Sequence, residues 1–176
     1  ENNLILIEDA AQSLGSFYPD GRHIGTSGLI GSFSFSAPKI ISTGQGGALV
    51  TNDDKIAQKI RKLKDFGRVN GGNDTHDEIG FNFEFTELQA CIGIEQMKKL
   101  SWRVERKKEI LKLYQQLLNN LDQVKFFNQD LINTTPWFID CLAEDREGLI
   151  KHLQSFDIGS RVMYPPINKQ KAYDIE

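Results

Sequence analysis

The most constraining stretch of this 176-residue chain is a short apolar strand that runs into a single lysine and then a glycine-rich turn. Residues 31–39 alternate small and aromatic side chains up to Lys39, and residues 42–47 contain three glycines. A lysine crowded by apolar neighbours at the edge of a strand can act as an amine nucleophile towards an aldehyde. Taken alone, however, a lysine is more often an ordinary surface residue.

A carboxylate thirty positions earlier complements this lysine. Asp9 follows four aliphatic residues, 4–7, at the point where a buried strand is expected to open into a loop. A carboxylate keeps a pyridine nitrogen protonated and a lysine forms an imine with an aldehyde, so the pair is the minimal protein equipment for pyridoxal 5′-phosphate (PLP). Asp9 can equally cap the following turn, and spacing alone leaves both interpretations open.

Two further polar groups lie near this pair in the sequence. Gln12 reaches the same face of a ring as Asp9 if Asp9 opens a helical turn. Ser34 and Ser36 alternate with phenylalanines, so both hydroxyls are expected on one face of the strand. An ordinary half-exposed strand would show the same alternation.

Composition narrows the class of protein. Hydrophobic residues at 39%, charged residues at 26% and a net charge of −3 argue against disorder and against nucleic-acid binding. Cys91 and Cys141 lack the spacing of metal ligands, so we expect buried thiols in a reducing compartment and no metal site. No apolar run reaches the roughly 20 residues of a membrane span and no leader opens the chain, which predicts a cytoplasmic protein.

The order of elements predicts an α/β protein with a second, smaller α+β part. In the first half, strands are predicted over 4–7, 32–35 and 48–51, in a largely parallel sheet. Helices are predicted over 55–66, capped by Asp53, over 88–100, capped by Thr86, and over 102–121. After residue 121 the pattern predicts strands over 124–127, 137–142 and 159–163 and a helix over 146–156.

Taken jointly, residues 8–15, 25–26, 32–41 and 44–53 closely resemble the DegT/DnrJ/EryC1/StrS family of sugar aminotransferases. Residues 80–83, 88–90 and 164–166 extend the likeness over essentially the whole chain. The resemblance implies the type I fold of PLP-dependent transferases, similar to aspartate aminotransferase. Residues 1–121 would be the C-terminal part of the large PLP-binding domain with its long connecting helix. Residues 122–176 would be the truncated start of the small domain.

The resemblance also implies a role for each candidate residue. Lys39 would carry the aldimine and move a proton between substrate and cofactor, and Asp9 would pair with the pyridine nitrogen. Gln12 would lie against the ring near its phenol oxygen, and Ser34 would bind the phosphate. Asn82 would reach the phosphate of the neighbouring subunit's cofactor, so we expect a homodimer with shared active sites.

A lysine at position 39 favours transamination, because relatives that remove the oxygen at C3 of a sugar carry histidine there. The resemblance implies glutamate as amino donor and a nucleotide-linked keto sugar as acceptor. Residues 65–68 and 80–83 most resemble the perosamine synthase branch, which aminates C4 of GDP-linked 4-keto-6-deoxymannose. His76 and Arg161 are candidate substrate contacts, with ordinary exposed side chains as the alternative.

A second hypothesis is that the chain is a non-catalytic truncated fragment or a cofactor-binding interaction scaffold. Both ends look cut from a longer protein. Family members carry the helix N-terminus that cradles the phosphate, and an aromatic residue that stacks on the ring, upstream of the stretch that begins here. Because helix N-termini are natural anion sites, a chain without this one is expected to bind PLP weakly and to be inactive alone.

Overall fold

The computed structural model of the chain describes residues 4–69 and 74–173. The chain divides into two compact units. The first unit combines Glu1–Leu117 with Asn128–Ile139, and the second combines Leu118–Phe127 with Asp140–Glu176. The assignment of residues 1–121 and 122–176 to two domains of a larger enzyme stays a prediction.

A three-stranded sheet organises the first unit. Its strands are β1 (Ile7–Asp9), β2 (Ile30–Ser34) and β3 (Gly47–Val50), in that spatial order. β1 pairs with β2 in parallel, but β2 pairs with β3 in antiparallel. The prediction of a largely parallel sheet is therefore wrong for β3. The chain between β2 and β3 turns back through the glycine-rich segment without a crossover helix, and such a connection joins antiparallel strands.

The strand predicted over residues 4–7 starts later than expected. Pairing with β2 begins at Ile7, opposite Ile30. Leu4 and Ile5 are 86% and 73% exposed, so their predicted burial is wrong for the residues that the structure describes. Of the predicted strand 4–7, only Ile7 lies in the paired segment Ile7–Asp9.

The described part of the first unit also contains the helices α1 (Asp54–Lys64), α2 (Glu87–Met97) and α3 (Leu100–Leu117). Both predicted N-caps are confirmed. The Asp53 carboxylate accepts hydrogen bonds from the first turn of α1, and Thr86 forms a reciprocal capping box with Gln89 at the start of α2. Such caps satisfy backbone N–H groups that have no partner inside the helix.

The small core of the first unit lies between α3 and the loops that follow β1 and β2. Its buried apolar side chains are Ala10, Ile41, Val104 and Leu111. Val104 and Leu111 are seven residues apart and therefore share one face of α3. Val104 on this face lies against Gly15 in the loop after β1, since a Cβ added to Gly15 would be 2.6 Å from the Val104 side chain.

The second unit contains a two-stranded antiparallel sheet, β4 (Val124–Phe126) with β5 (Cys141–Ala143), followed by α4 (Arg146–Gln154). The strand predicted over 137–142 is confirmed only at its end, and residues 159–163 have no regular structure. Residues 159–163 are exposed, and their apolar members find no sheet partner within the described part of the chain. Two short 3-10 helices, Ile167–Lys169 and Lys171–Tyr173, end the described chain.

Two other expectations concern the surface. Cys91 and Cys141 are free and exposed, so the prediction of buried thiols is wrong. Cys91 lies on α2, which has no buried residue, and Cys141 starts a strand of a small two-stranded sheet. Within residues 4–69 and 74–173, no helix is both long and apolar enough to cross a membrane.

A substitution at Gly31 tests the packing that positions β1 and β2. A Cβ atom on this glycine would lie 1.7 Å from the carbonyl oxygen of Gly25. Gly31→Ala is therefore expected to lower the free energy of unfolding by about 3 kcal/mol, since the backbone must shift to accommodate one methyl group. Urea unfolding of the protein made from its complete gene measures this loss.

Gly159→Ala is the matched control, because nothing lies within 4 Å of the added Cβ. We expect its free energy of unfolding to stay within about 0.5 kcal/mol of wild type. A Gly31→Ala protein as stable as the control would contradict the close approach of residues 25 and 31.

Candidate active site

Three of the predicted cofactor residues meet in one pocket of the first unit. Gln12 from the loop after β1, Ser34 from the end of β2 and Lys39 from the following loop all line it. Its other walls include Lys107 from α3, and Thr135 and Trp137 from the segment Asn128–Ile139. The pocket thus collects an amide, two hydroxyls and two amines from five separate stretches of the chain.

Asp9 lies at the same edge of the sheet, although it is not among the pocket-lining residues. Because β1 and β2 are parallel, their carboxyl ends meet at one edge, where ligands commonly bind in open α/β sheets. Asp9 pairs with Ser32, and side chains alternate along a strand, so Asp9 and Ser34 share one face of the sheet. The pocket lies on this face of the sheet, because Ser34 is one of its lining residues.

The Asp9 carboxylate is exposed and also caps the turn that follows. Its Oδ1 accepts a hydrogen bond from the backbone N–H of Ala11 at 3.1 Å. Both interpretations of Asp9 from the sequence remain compatible with this contact, because a carboxylate has two oxygens and several acceptor positions. Oδ1 can orient the side chain through the Ala11 N–H, while the other oxygen accepts a hydrogen bond from a ligand.

Glu8, which the sequence analysis did not single out, is a buried carboxylate on the opposite face of β1. It accepts hydrogen bonds from the Tyr18 hydroxyl at 2.7 Å and from the backbone N–H groups of Gly25 at 2.8 Å, Ser27 at 2.6 Å and Gly28. The Tyr18 hydrogen bond and these backbone donors lower the Glu8 pKa to about 2, against the opposing effect of burial. The sequence signal that could have identified Glu8 is its position next to Asp9, at the end of a short apolar strand.

The loop that carries Lys39 is held by side chains from distant parts of the chain. The Trp137 indole Nε1 donates to the carbonyl oxygen of Pro38 at 3.0 Å, and Arg103 donates to that of Ile40 at 2.9 Å. The Lys39 Nζ lies 4.1 Å from the centre of the Trp137 ring. No sequence pattern pointed to these contacts, since Trp137 and Arg103 are 99 and 63 residues from the carbonyls that they bind.

The two serines of the strand also behave as one group. Ser34 Oγ donates to Ser36 Oγ at 3.1 Å and accepts from the Ser36 backbone N–H at 3.3 Å. The predicted common orientation of the two hydroxyls fits these contacts. Of the two, Ser34 lines the pocket, and its contact with Ser36 fixes the direction of its hydroxyl.

Asn82 lies outside the pocket, in a segment attached to the end of α1. It forms an isolated antiparallel bridge with Asp65. On either side of it, Phe81 and Phe83 donate backbone hydrogen bonds to the carbonyls of Leu63 and Lys64 at 2.7 and 2.9 Å. These contacts hold Asn82 exposed on the surface, and its predicted role across a subunit interface stays a prediction.

Neither candidate substrate contact lines the pocket. His76 is exposed, and its Nδ1 donates to the carbonyl oxygen of Phe66 at 2.8 Å. Arg161 lies in the second unit, with its guanidinium 4.5 Å from the centre of the Tyr164 ring. Their roles stay predictions. Among the residues that the structure describes, no cluster of His, Cys, Asp or Glu is arranged to hold a metal ion.

Comparison with known proteins identifies the family. Residues 1–176 match the family described as the DegT/DnrJ/EryC1/StrS aminotransferase family. The chain belongs to this family. The match covers the whole chain and so includes every residue that lines the pocket.

Individual members show how much of the fold is present. The chain is 36% identical over 174 residues to GDP-perosamine synthase of Escherichia coli O157:H7, covering 97% of this chain and 47% of that protein. A DegT/DnrJ/EryC1/StrS aminotransferase structure from Brucella abortus superposes with a TM-score of 0.87 at 32% identity, covering 97% of this chain and 45% of that one. The chain therefore spans about half the length of these family members.

A more distant structure confirms the fold alone. Escherichia coli GDP-4-keto-6-deoxy-D-mannose-3-dehydratase, whose structure contains bound hydrated PLP, superposes with a TM-score of 0.75 at 24% identity. The superposition covers 91% of this chain and 46% of the dehydratase chain. The predicted α/β fold of PLP-dependent sugar aminotransferases is thus confirmed. The cofactor of the family is PLP, as in the Bacillus subtilis relative that is 34% identical over 173 residues and is described as the putative pyridoxal phosphate-dependent aminotransferase EpsN.

The Glu8 network yields a prediction about stability and pH. Because the folded-state pKa of about 2 lies below the usual value of 4.5, the stabilisation is fully present above pH 4.5 and is lost as pH falls towards 2. Glu8→Gln should lower the free energy of unfolding at pH 7 by about 2 kcal/mol, since an amide cannot satisfy four donors. Urea unfolding at several pH values between 7 and 3 measures both effects.

Glu105→Gln is the control, because the Glu105 side chain is 76% exposed and only 3.8 Å from Lys108. The loss of stability between pH 5 and pH 3 should be smaller in Glu8→Gln than in wild type or the control. Equal pH slopes in all three proteins would contradict the low pKa of Glu8.

Proposed function

We propose that the protein is a PLP-dependent aminotransferase whose acceptor is a nucleotide-linked keto sugar. The observation that carries this proposal is the convergence of Gln12, Ser34 and Lys39 on one pocket, at the sheet edge where Asp9 ends β1. Membership of the aminotransferase family supports it. Because the chain spans about half of its relatives, the proposal concerns the protein made from its complete gene.

The chemical groups around the pocket fit PLP. When bound, this cofactor supplies an aldehyde that condenses with amines and a pyridine ring that withdraws electrons. Lys39 offers its amine for covalent attachment and for carrying a proton. Ser34 offers a hydroxyl donor for the phosphate, and the Gln12 amide can pack against the ring.

Asp9 supplies the remaining electrostatic requirement. An anion that accepts a hydrogen bond from the ring nitrogen favours the protonated form of that nitrogen. Its position on the pocket face, oriented by the N–H of Ala11, supports this role. Glu8 is fixed on the other face and stabilises the strand that presents Asp9.

The proposed amino donor, acceptor and subunit arrangement are based on similarity to the family. From the resemblance of residues 65–68 and 80–83 to the perosamine synthase branch, we propose glutamate as the amino donor and GDP-linked 4-keto-6-deoxymannose as the acceptor. A relative that is 36% identical is named GDP-perosamine synthase, which supports the choice of branch. A homodimer is proposed in which Asn82 contacts the phosphate bound by the partner. The cytoplasmic location expected from the sequence stays a prediction.

The cofactor proposal is tested by absorbance. The purified protein with PLP should show a band near the violet edge of the visible spectrum, and Lys39→Ala should abolish it, because no other side chain is proposed to bond the aldehyde. Lys99→Ala, which removes an exposed lysine from outside the pocket, should keep the band. A Lys39→Ala protein that retains the wild-type band contradicts the proposal, and no band in wild type would favour the scaffold alternative.

The reaction is tested by product analysis. Incubation with glutamate and GDP-linked 4-keto-6-deoxymannose should form 2-oxoglutarate and an amino sugar, detected by mass spectrometry. Asp9→Asn should retain the absorbance band but lower the rate about a hundredfold, since the ring nitrogen loses its anionic partner. Amination of a different nucleotide sugar would overturn the substrate assignment while leaving the aminotransferase proposal in place.

A further inference from the structure

The backbone on either side of Lys39 is fixed by side chains that are remote in sequence. Trp137 Nε1 binds the carbonyl oxygen before the lysine, at Pro38, and Arg103 binds the one after it, at Ile40. The Lys39 N–H itself donates to the Ser36 carbonyl at 3.1 Å. Three successive hydrogen bonds therefore set the direction in which the Lys39 side chain leaves the loop.

Trp137 contacts the amine as well as the backbone. The Lys39 Nζ lies 4.1 Å from the centre of the indole ring, well within the range in which a lysine cation is attracted to an aromatic face. Both side chains line the pocket that also contains Gln12 and Ser34. The ring thus holds the amine inside the proposed cofactor site.

Trp137 is itself held in place from two directions. Lys107 on α3 donates from Nζ to the Trp137 carbonyl oxygen at 2.9 Å, and burial lowers the Lys107 pKa. Phe138 stacks on the indole with ring centres 4.0 Å apart and planes 26° apart. An aromatic ring fixed in this way provides a defined surface for a flexible lysine.

We propose that Trp137 is a positioning residue for Lys39, which fixes the loop through Nε1 and holds the Lys39 side chain in the pocket through its ring face. This inference rests on the proposed function. A lysine side chain has many rotamers, and restricting it to those that point into the pocket raises the frequency of productive encounters with an aldehyde. Trp137 takes no part in bond formation.

The test measures how quickly Lys39 captures PLP. The neutral Nζ amine of Lys39 would bond to the aldehyde carbon, and its two hydrogens would leave with the aldehyde oxygen as water. Borohydride would then add hydride to that carbon, and solvent would supply a proton to the nitrogen, which makes the bond permanent. PLP is added to the cofactor-free protein made from the complete gene. The rate of appearance of the violet band and the fraction of the Lys39 peptide that carries the reduced adduct are both recorded.

Two variants separate the two contacts of Trp137. Trp137→Leu removes the ring face and the Nε1 donor, and we expect capture about tenfold slower than in wild type. Trp137→Phe keeps an aromatic face without the donor, and we expect an intermediate rate, about threefold slower. Trp102→Phe is the matched control, because Trp102 lies on α3 with 66% exposure, and its rate should equal that of wild type.

A purely structural role of Trp137 predicts a lower melting temperature with an unchanged capture rate per folded molecule. Wild-type capture by both Trp137 variants would overturn the inference. If Trp137→Leu fails to fold, wild-type capture by Trp137→Phe suffices to overturn it. A wild-type protein that forms no adduct at Lys39 would instead refute the proposed function, and the inference with it.

Discussion

The buried carboxylate of Glu8 is the interaction on which the arrangement of the first unit depends. It joins β1 to Tyr18 and to the loop that contains Gly25, Ser27 and Gly28. A buried charge is tolerated only when hydrogen bonds replace its hydration, and four donors do so here. Loss of these donors would leave an unpaired charge beside the strand, so the loop and the strand hold one another in place.

This constraint gives β1 two chemically distinct faces. Glu8 occupies the face that binds the loop, and the alternation of side chains sends Asp9 to the face that it shares with Ser34. The Lys39 loop is fixed independently, by Arg103 and Trp137. The proposed reactive groups are therefore presented by two rigid segments, which is what precise positioning around a flat ring requires.

Local signals in the sequence predicted the local features of the structure. Asp53 and Thr86 were correctly assigned as caps because an N-cap depends on a few neighbouring residues. The direction of β3 and the exposure of Cys91 depend on what packs around an element, and propensity carries no such information. The contact between Trp137 and Lys39 was missed for the same reason, since it joins segments 98 residues apart.

A crystal structure of the protein made from its complete gene, with PLP bound, tests the proposed site most directly. We predict continuous density from Lys39 Nζ to the cofactor, with an Asp9 carboxylate oxygen about 2.7 to 3.2 Å from the ring nitrogen. Ser34 should contact the phosphate of the same cofactor. A PLP molecule bound elsewhere, or a ring attached to Lys39 whose nitrogen faces away from Asp9, would contradict the account.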